Sequence, residues 1–261
     1  MKSTALRATY CLSIQVLSSY MEHAICTGAL SVTDLQKKQR RNEEKMDRKI
    51  KVAVIVECHP YDIVNFQKML WSFEDCECYV QPFDLFLEDE ANRDAYDCVL
   101  FYSMSLPLPE EGSIRKQYLE EQFGTTGQGI ILMHHALLSF PRWDLYTEVS
   151  GVKIRCEEQF KYHQNETVHQ HILAKDHPVT AGIEDFTVVD ETYEIGEPEE
   201  PGNEILIETD NASGIRKIAW TRKFRDSRVF CYASGHDNAV YADENFRKIM
   251  HQAIRWSVEG R

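Results

Sequence analysis

Gly129-Ile130-Ile131-Leu132-Met133-His134-His135 is an unbroken apolar run that opens on a glycine and ends in two imidazoles. A short run of this kind, bounded by turn residues, reads as a buried strand. In an open α/β sheet the carboxyl ends of parallel strands face the crevice where ligands bind. Two further segments repeat the pattern of polar groups just beyond apolar residues. Asp190-Glu191-Thr192-Tyr193 follows Thr187-Val188-Val189, and Gly235-His236-Asp237 follows a strand over residues 229–233. Imidazoles and carboxylates gathered at one sheet edge can bind a metal or move protons. The chain is therefore read as built around a polar pocket.

Outward from that strand the pattern alternates. Residues 50–56 form a short apolar strand, and residues 61–73 a helix with Ile63, Phe66, Met69, Leu70 and Phe73 at helical spacing and Asp62 as N-cap. Strands over 78–83 and 97–102, a helix over 113–123 and the strand over 130–134 follow. Strands alternating with helices imply right-handed crossovers and a parallel sheet covered on both faces. The second half differs. Residues 152–154, 167–173, 186–193, 204–207 and 217–221 are short strand candidates separated by Gly and Pro clusters, which predicts an antiparallel or mixed extension. A strand over 228–232 and an amphipathic helix over 245–256 close the chain.

The first 45 residues read as an N-terminal extension, disordered or loosely helical, and residues 46–261 as a single α/β domain. The extension is net basic, whereas the remainder carries more than the whole of the −13 net charge. A body this acidic repels phosphate backbones, so nucleic acid is not expected as a partner. Lys37-Lys38-Gln39-Arg40-Arg41 reads as a solvated tail. No apolar run is long enough to span a bilayer. The eight cysteines show no Cys-x-x-Cys pairing, which fits reduced thiols and a cytoplasmic protein. No P-loop or Gly-x-Gly-x-x-Gly segment appears, so no nucleotide cofactor is expected.

His134 stands at a strand-to-helix turn, the place of the reactive side chain in a nucleophile elbow, but it is neither Cys nor Ser. Its neighbour His135 either shares the pocket or caps the strand end. Because side chains alternate along a strand, Glu191 and Tyr193 share one face while Asp190 and Thr192 share the other. Glu191 is taken as the inward acid, against the alternative of a solvated edge carboxylate. Gly235 permits a tight turn that projects His236 over the sheet edge, with Asp237 beside it. His59, just past the first strand, and His163, on a loop, are read as lining the crevice.

Taken together, Gly127-Gln128-Gly129-Ile130-Ile131-Leu132-Met133-His134, Phe160-Lys161-Tyr162-His163, Asp176-His177-Pro178-Val179-Thr180-Ala181-Gly182, Asp190-Glu191-Thr192-Tyr193, Ala219-Trp220-Thr221-Arg222, Gly235-His236-Asp237 and Ile254-Arg255-Trp256 resemble the ThuA-like (trehalose utilisation) family over about residues 50–257. The resemblance implies an α/β fold like that of class I glutamine amidotransferases: a flavodoxin-like three-layer sandwich with a mainly parallel central sheet and an antiparallel extension. It places His134 where the amidotransferase nucleophile would be, which argues against glutamine hydrolysis. It also implies sugar utilisation. This chain departs from the family pattern at His135, where a glycine is usual, and in the acid-rich loop around residues 198–201.

The reading that follows is a cytoplasmic enzyme acting on a small sugar or sugar derivative. His134, Glu191 and His236 would form its catalytic centre, with His59, His135, His163, Tyr193 and Asp237 binding substrate. Two imidazoles and a carboxylate match a catalytic metal shell for a divalent ion, zinc or manganese. Without metal, the same three groups act as acid and base. The alternative is a non-catalytic carbohydrate-binding or regulatory domain that uses the same crevice, with Trp143, Trp220 and Tyr241 stacking on sugar rings. Neither reading requires a membrane, and a homo-oligomer is compatible with both.

Overall fold

β1 (Ile50–Glu57) buries Val52 to Ile55 completely, as a strand covered on both faces must. The computed structural model describes residues 48–153 and 161–259. The expected extension over residues 1–45 lies outside the described residues, as do Ile154 of one strand candidate and Phe160 of a family motif.

α1 (Ile63–Trp71) starts at Asp62, whose Oδ1 accepts the Asn65 amide at 3.1 Å, and it buries Phe66, Met69 and Leu70. β2 (Cys76–Gln81), α2 (Phe83–Glu88), α3 (Glu90–Asp94) and the fully buried β3 (Cys98–Ser103) follow. α4 (Ile114–Gln117) runs into a π turn over Tyr118–Gln122, and β4 (Gly129–Met133) leads into a 3-10 turn over His134–Leu138. After α5 (Asp144–Ser150) come β5 (Lys161–Ile172), β6 (Phe186–Glu194), β7 (Glu204–Glu208), β8 (Lys217–Phe224) and β9 (Ser227–Tyr232). α6 (Asn238–Tyr241) and α7 (Glu244–Val258) complete the chain. Among the described residues no helix is long and apolar enough to cross a membrane.

The strands form one sheet in the order β2-β1-β3-β4-β9-β8-β7-β5-β6. The pairings from β2 to β9 are parallel and those from β9 to β6 are antiparallel. The expectation of a mainly parallel sheet is thus corrected to a mixed one, divided evenly at β9. The reason is connectivity: β8 turns directly into β9 through Arg225 and Asp226, with no helical crossover to reverse direction. The parallel part keeps the doubly wound order of flavodoxin-like sheets. Right-handed crossovers put α1 and α2 on opposite faces of it. The carboxyl ends of β1, β3, β4 and β9 consequently meet along one edge, and that edge carries the site.

β5, α2 and α3 differ from the sequence reading for physical reasons. β5 begins at Lys161 and not at residue 167, because its polar first half is held by pairing with β6, which hydrophobic patterning does not register. α2 and α3 fall where no helix is expected; each is too short for a hydrophobic period.

α7 is tethered to the start of β2. Asp75 accepts a hydrogen bond from His251 Nε2 and pairs with Arg255 Nη1 at 3.2 Å, while the His251 ring stacks on Phe73. Burial pushes the Asp75 carboxyl up, but the bond and charge of His251 and the charge of Arg255 outweigh it and hold it below the usual carboxylate range. A carboxyl depressed in the folded state adds stability above its unfolded pKa and loses it as pH falls through the lower, folded value. With 42% of the Asp75 side chain exposed, the contribution is at most about 1 kcal/mol. Asp75→Asn is therefore expected to melt slightly below the parent at neutral pH, with the gap closing below about pH 4. Thermal melts of both proteins from pH 7 to pH 2 check this; a gap unchanged at pH 2 refutes it.

Candidate active site

β4 ends at Met133, and His134 takes a left-handed backbone conformation (φ 53°) uncommon for a residue with a side chain. This sharp turn drops the imidazole over the sheet edge, where it is fully buried. Its Nδ1 lies 2.8 Å from the Ala233 carbonyl, which can only accept, so Nδ1 carries the proton. In the neutral ring Nε2 then offers its lone pair. That atom receives the Tyr193 hydroxyl at 2.6 Å and lies 3.3 Å from His236 Nδ1.

Glu191 completes the group. Its Oε1 is 3.7 Å from His134 Nε2 and 3.6 Å from His236 Nδ1. The three donor atoms thus form a nearly equilateral triangle, with Glu191 and Tyr193 on the same face of β6 as alternation requires. Burial pushes the Glu191 carboxyl up, but the neighbouring His134, Tyr193 and His236 outweigh it and bring it down to about 2. Burial, reinforced by the Glu191 charge, raises the Tyr193 phenol well above its ordinary value, so it remains a proton donor.

The group borders a cavity of about 660 Å³ lined by His59, Tyr61, Met104, Tyr162, Glu191 and His236 among others. His59 stands on the wall, as expected from its place after β1. Three expected contacts do not reach the cavity. His135 is buried behind it, its ring stacked on His59 (4.3 Å between centroids) and tilted against Tyr102 (4.2 Å). Burial, with His134 and His59 nearby, lowers its pKa to about 2 and keeps the ring neutral. Neither of its ring nitrogens has a hydrogen-bond partner among the described residues. His163 turns to the other face of β5, where Nε2 meets Glu194 Oε1 at 2.9 Å. Asp237 caps α6 by accepting the Ala239 amide at 2.7 Å.

Sequence reasoning passed over Gln164 and Tyr162, the neighbours of His163 that do line the cavity. β5 carries a bulge between His163 and Glu166, opposite Glu191. The bulge, with Asn165 at φ 58°, aims Gln164 across the strand pair so that its Nε2 donates to Glu191 Oε2 at 3.2 Å. No residue-type pattern announces such a bulge, although Asn at its centre tolerates positive φ. The aromatic residues expected to stack on sugar rings lie elsewhere: Trp220 and Tyr241 are in the core, and Trp143 packs partly buried against it. Tyr61, Tyr162 and Tyr193 are the tyrosines that line the cavity.

Known proteins place this arrangement in context. A ThuA-like protein of Parabacteroides merdae superposes with a TM-score of 0.66 at 16% identity, covering 82% of this chain and 91% of that one. A ThuA-like protein of Bacteroides uniformis gives 0.63 at 17%, covering 82% and 93%. A β-galactosidase of Rahnella sp. R3 gives 0.51 at 13%, covering 80% of this chain but 32% of that longer one. These likenesses concern the fold. No curated protein matches the chain in sequence. The family model for ThuA, described as trehalose utilisation, matches residues 62–257. That span takes in β4, β6, β9 and every residue of the triangle, and the chain belongs to the ThuA family.

Proposed function

We propose that this chain is an enzyme of carbohydrate utilisation whose cavity takes a small sugar or sugar derivative, with His134, Glu191 and His236 as the reacting centre. The observation that carries the proposal is the triangle of donor atoms at 3.3, 3.6 and 3.7 Å beside a cavity at the carboxyl edge of the parallel strands. Ligand atoms about 2.1 Å from a tetrahedral ion stand roughly 3.4 Å apart, so the residues present fit one divalent cation, zinc or manganese. His134 Nε2, Glu191 Oε1 and His236 Nδ1 would hold it. When bound, such an ion supplies Lewis acidity and an activated water. Binding at Nε2 requires the Tyr193 hydroxyl to give up that lone pair.

The chain's own groups supply the rest. The Ala233 carbonyl fixes the tautomer of His134, leaving Nε2 as the basic atom at the site. Nε2 accepts a proton from a substrate hydroxyl or from a carbon beside a carbonyl, and ionised Glu191 stabilises the imidazolium that forms. Tyr193 returns a proton to the substrate and is reprotonated by the His134 imidazolium, whose Nε2 lies 2.6 Å from its hydroxyl. Gln164 holds the second carboxylate oxygen so that Oε1 faces the two imidazoles. On the sequence grounds given above, the setting is the cytoplasm and no nucleotide cofactor takes part.

Elemental analysis of protein purified without chelator, beside His134→Ala and His236→Ala, tests the proposal. Near-stoichiometric metal in the parent, lost from both variants, is the expected result. Metal retained in both would shift attention to Asp75, Cys76 and His251, a second group able to hold an ion. No metal after reloading with zinc and manganese removes the ion from the proposal. NMR screening of sugars then separates turnover from binding alone, and binding alone favours the non-catalytic reading.

A further inference from the structure

The segment that carries His236 is held in an unusual way. All four backbone polar groups of Gly235 and His236 are bound by buried side chains from other parts of the fold. On the amide side, Asp190 Oδ2 accepts the Gly235 N–H at 2.9 Å and Oδ1 accepts the His236 N–H at 3.0 Å. On the carbonyl side, the Tyr102 hydroxyl lies 2.9 Å from the Gly235 oxygen and 3.1 Å from that of His236. The Tyr241 hydroxyl lies 2.9 Å from the His236 oxygen and is itself hydrogen-bonded to Tyr102.

Asp190 does more than receive those two amides. Its Oδ1 also accepts the Glu191 N–H at 2.8 Å, and Oδ2 accepts the Ser234 hydroxyl. Ser234 receives Gln170 Nε2 at 3.2 Å, and Gln170 Oε1 receives the Tyr232 hydroxyl. The carboxylate is 4% exposed, so these donors stand in for water. Four hydrogen bonds converging on one buried side chain make a rigid joint. The joint lies between the backbones of Glu191 and His236, two corners of the triangle.

We infer that Asp190 is a positioning residue which, without touching the cavity, fixes Glu191 and His236 in register with His134, while Tyr102 and Tyr241 lock the same segment from the opposite side. The inference rests on the site reading proposed above. A ligand set is only as tight as the groups that orient it, and loss of such support typically weakens metal binding about 10–100-fold. An amide in place of the carboxylate keeps the size but directs its NH2 at N–H groups that need an acceptor.

Asp190→Asn in the full chain tests this with two readouts: zinc affinity by competition with a chromophoric chelator, and the imidazole NMR spectrum, including the cross-relaxation between the His134 and His236 rings. The expected result is a folded protein whose zinc affinity falls about 10–100-fold and whose His134–His236 cross-peak is lost. Unchanged affinity with the cross-peak intact overturns the inference. If the parent protein binds no zinc, the metal reading fails, and the cross-peak alone decides the role of Asp190: its loss in the variant supports positioning, its survival refutes it. If Asp190→Asn does not fold, the Tyr102→Phe/Tyr241→Phe double variant decides by the same two readouts. There a wild-type cross-peak and affinity overturn the inference, and loss of the cross-peak supports it.

Discussion

Glu191→Gln is expected to lower the affinity for zinc or manganese by more than about 100-fold while leaving the protein folded. The substitution removes one negative charge and replaces the oxygen facing the imidazoles by an NH2 group, which cannot bind a cation. Gln keeps a carbonyl oxygen able to accept from Gln164 Nε2, the bond that orients this side chain across the β5 bulge. It fills the same space between the two imidazoles and Tyr193. What it lacks is the anion, which in the parent is favoured by His134, Tyr193 and His236 holding the carboxyl well below its usual range. Neutral imidazoles alone leave a divalent ion without charge compensation in a largely buried setting, where burial of unpaired charge is most unfavourable. The effect should therefore exceed that of losing a supporting residue such as Asp190. Titration calorimetry with each metal, alongside a thermal melt of the metal-free proteins, gives the comparison. A variant that binds as tightly as its parent would mean that the carboxylate is no ligand. In that case the acid–base reading, in which Glu191 stabilises a protonated His134, would predict lost turnover with unchanged metal content.

The sequence made the three corners of the triangle legible because each follows an apolar strand, and the carboxyl ends of strands in such a sheet meet at one edge. Alternation also sorted Glu191 from Asp190, and the structure puts them on opposite sides with different partners. What alternation could not convey is that both sides of β6 are buried at this point, so that Asp190 is an internal acceptor and not a solvated acid. The placement of His163 failed for a related reason. Its imidazole drew the reading, but the strand period turns Tyr162 and Gln164 toward the cavity and the bulge fixes the latter. The even division of the sheet into parallel and antiparallel halves was hidden as well. Short strands between Gly and Pro clusters signal hairpins, yet nothing in them states which strand joins the parallel set, and that role falls to β9.

Gly235→Ala is expected to destabilise the protein by about 2–6 kcal/mol and to disorganise the site in the same stroke. Two separate effects add. The backbone at Gly235 has φ 126°, a conformation that side chains rarely adopt, and forcing it on Ala costs about 1–3 kcal/mol. The new Cβ would also lie 2.6 Å from Met133 Cε and 3.2 Å from Phe246 Cζ. Met133 can swing its terminal methyl, but it is fully buried beside Phe246, so the motion displaces packed neighbours at a further cost of about 1–3 kcal/mol. For a domain of this size the sum corresponds to a fall in melting temperature of roughly 10 °C. Gly112 and Gly202 separate the two effects, because both have positive φ (74° and 90°) and neither has anything within 4 Å of a built Cβ. Their alanine variants should lose only the backbone part, about 1 kcal/mol each. If all three variants melt alike, the packing argument at Gly235 is wrong. If Gly235→Ala alone falls far below the others and also loses metal, then the glycine is required where it is because only its backbone carries the chain between the Asp190 carboxylate and the Tyr102 and Tyr241 hydroxyls with His236 turned toward His134.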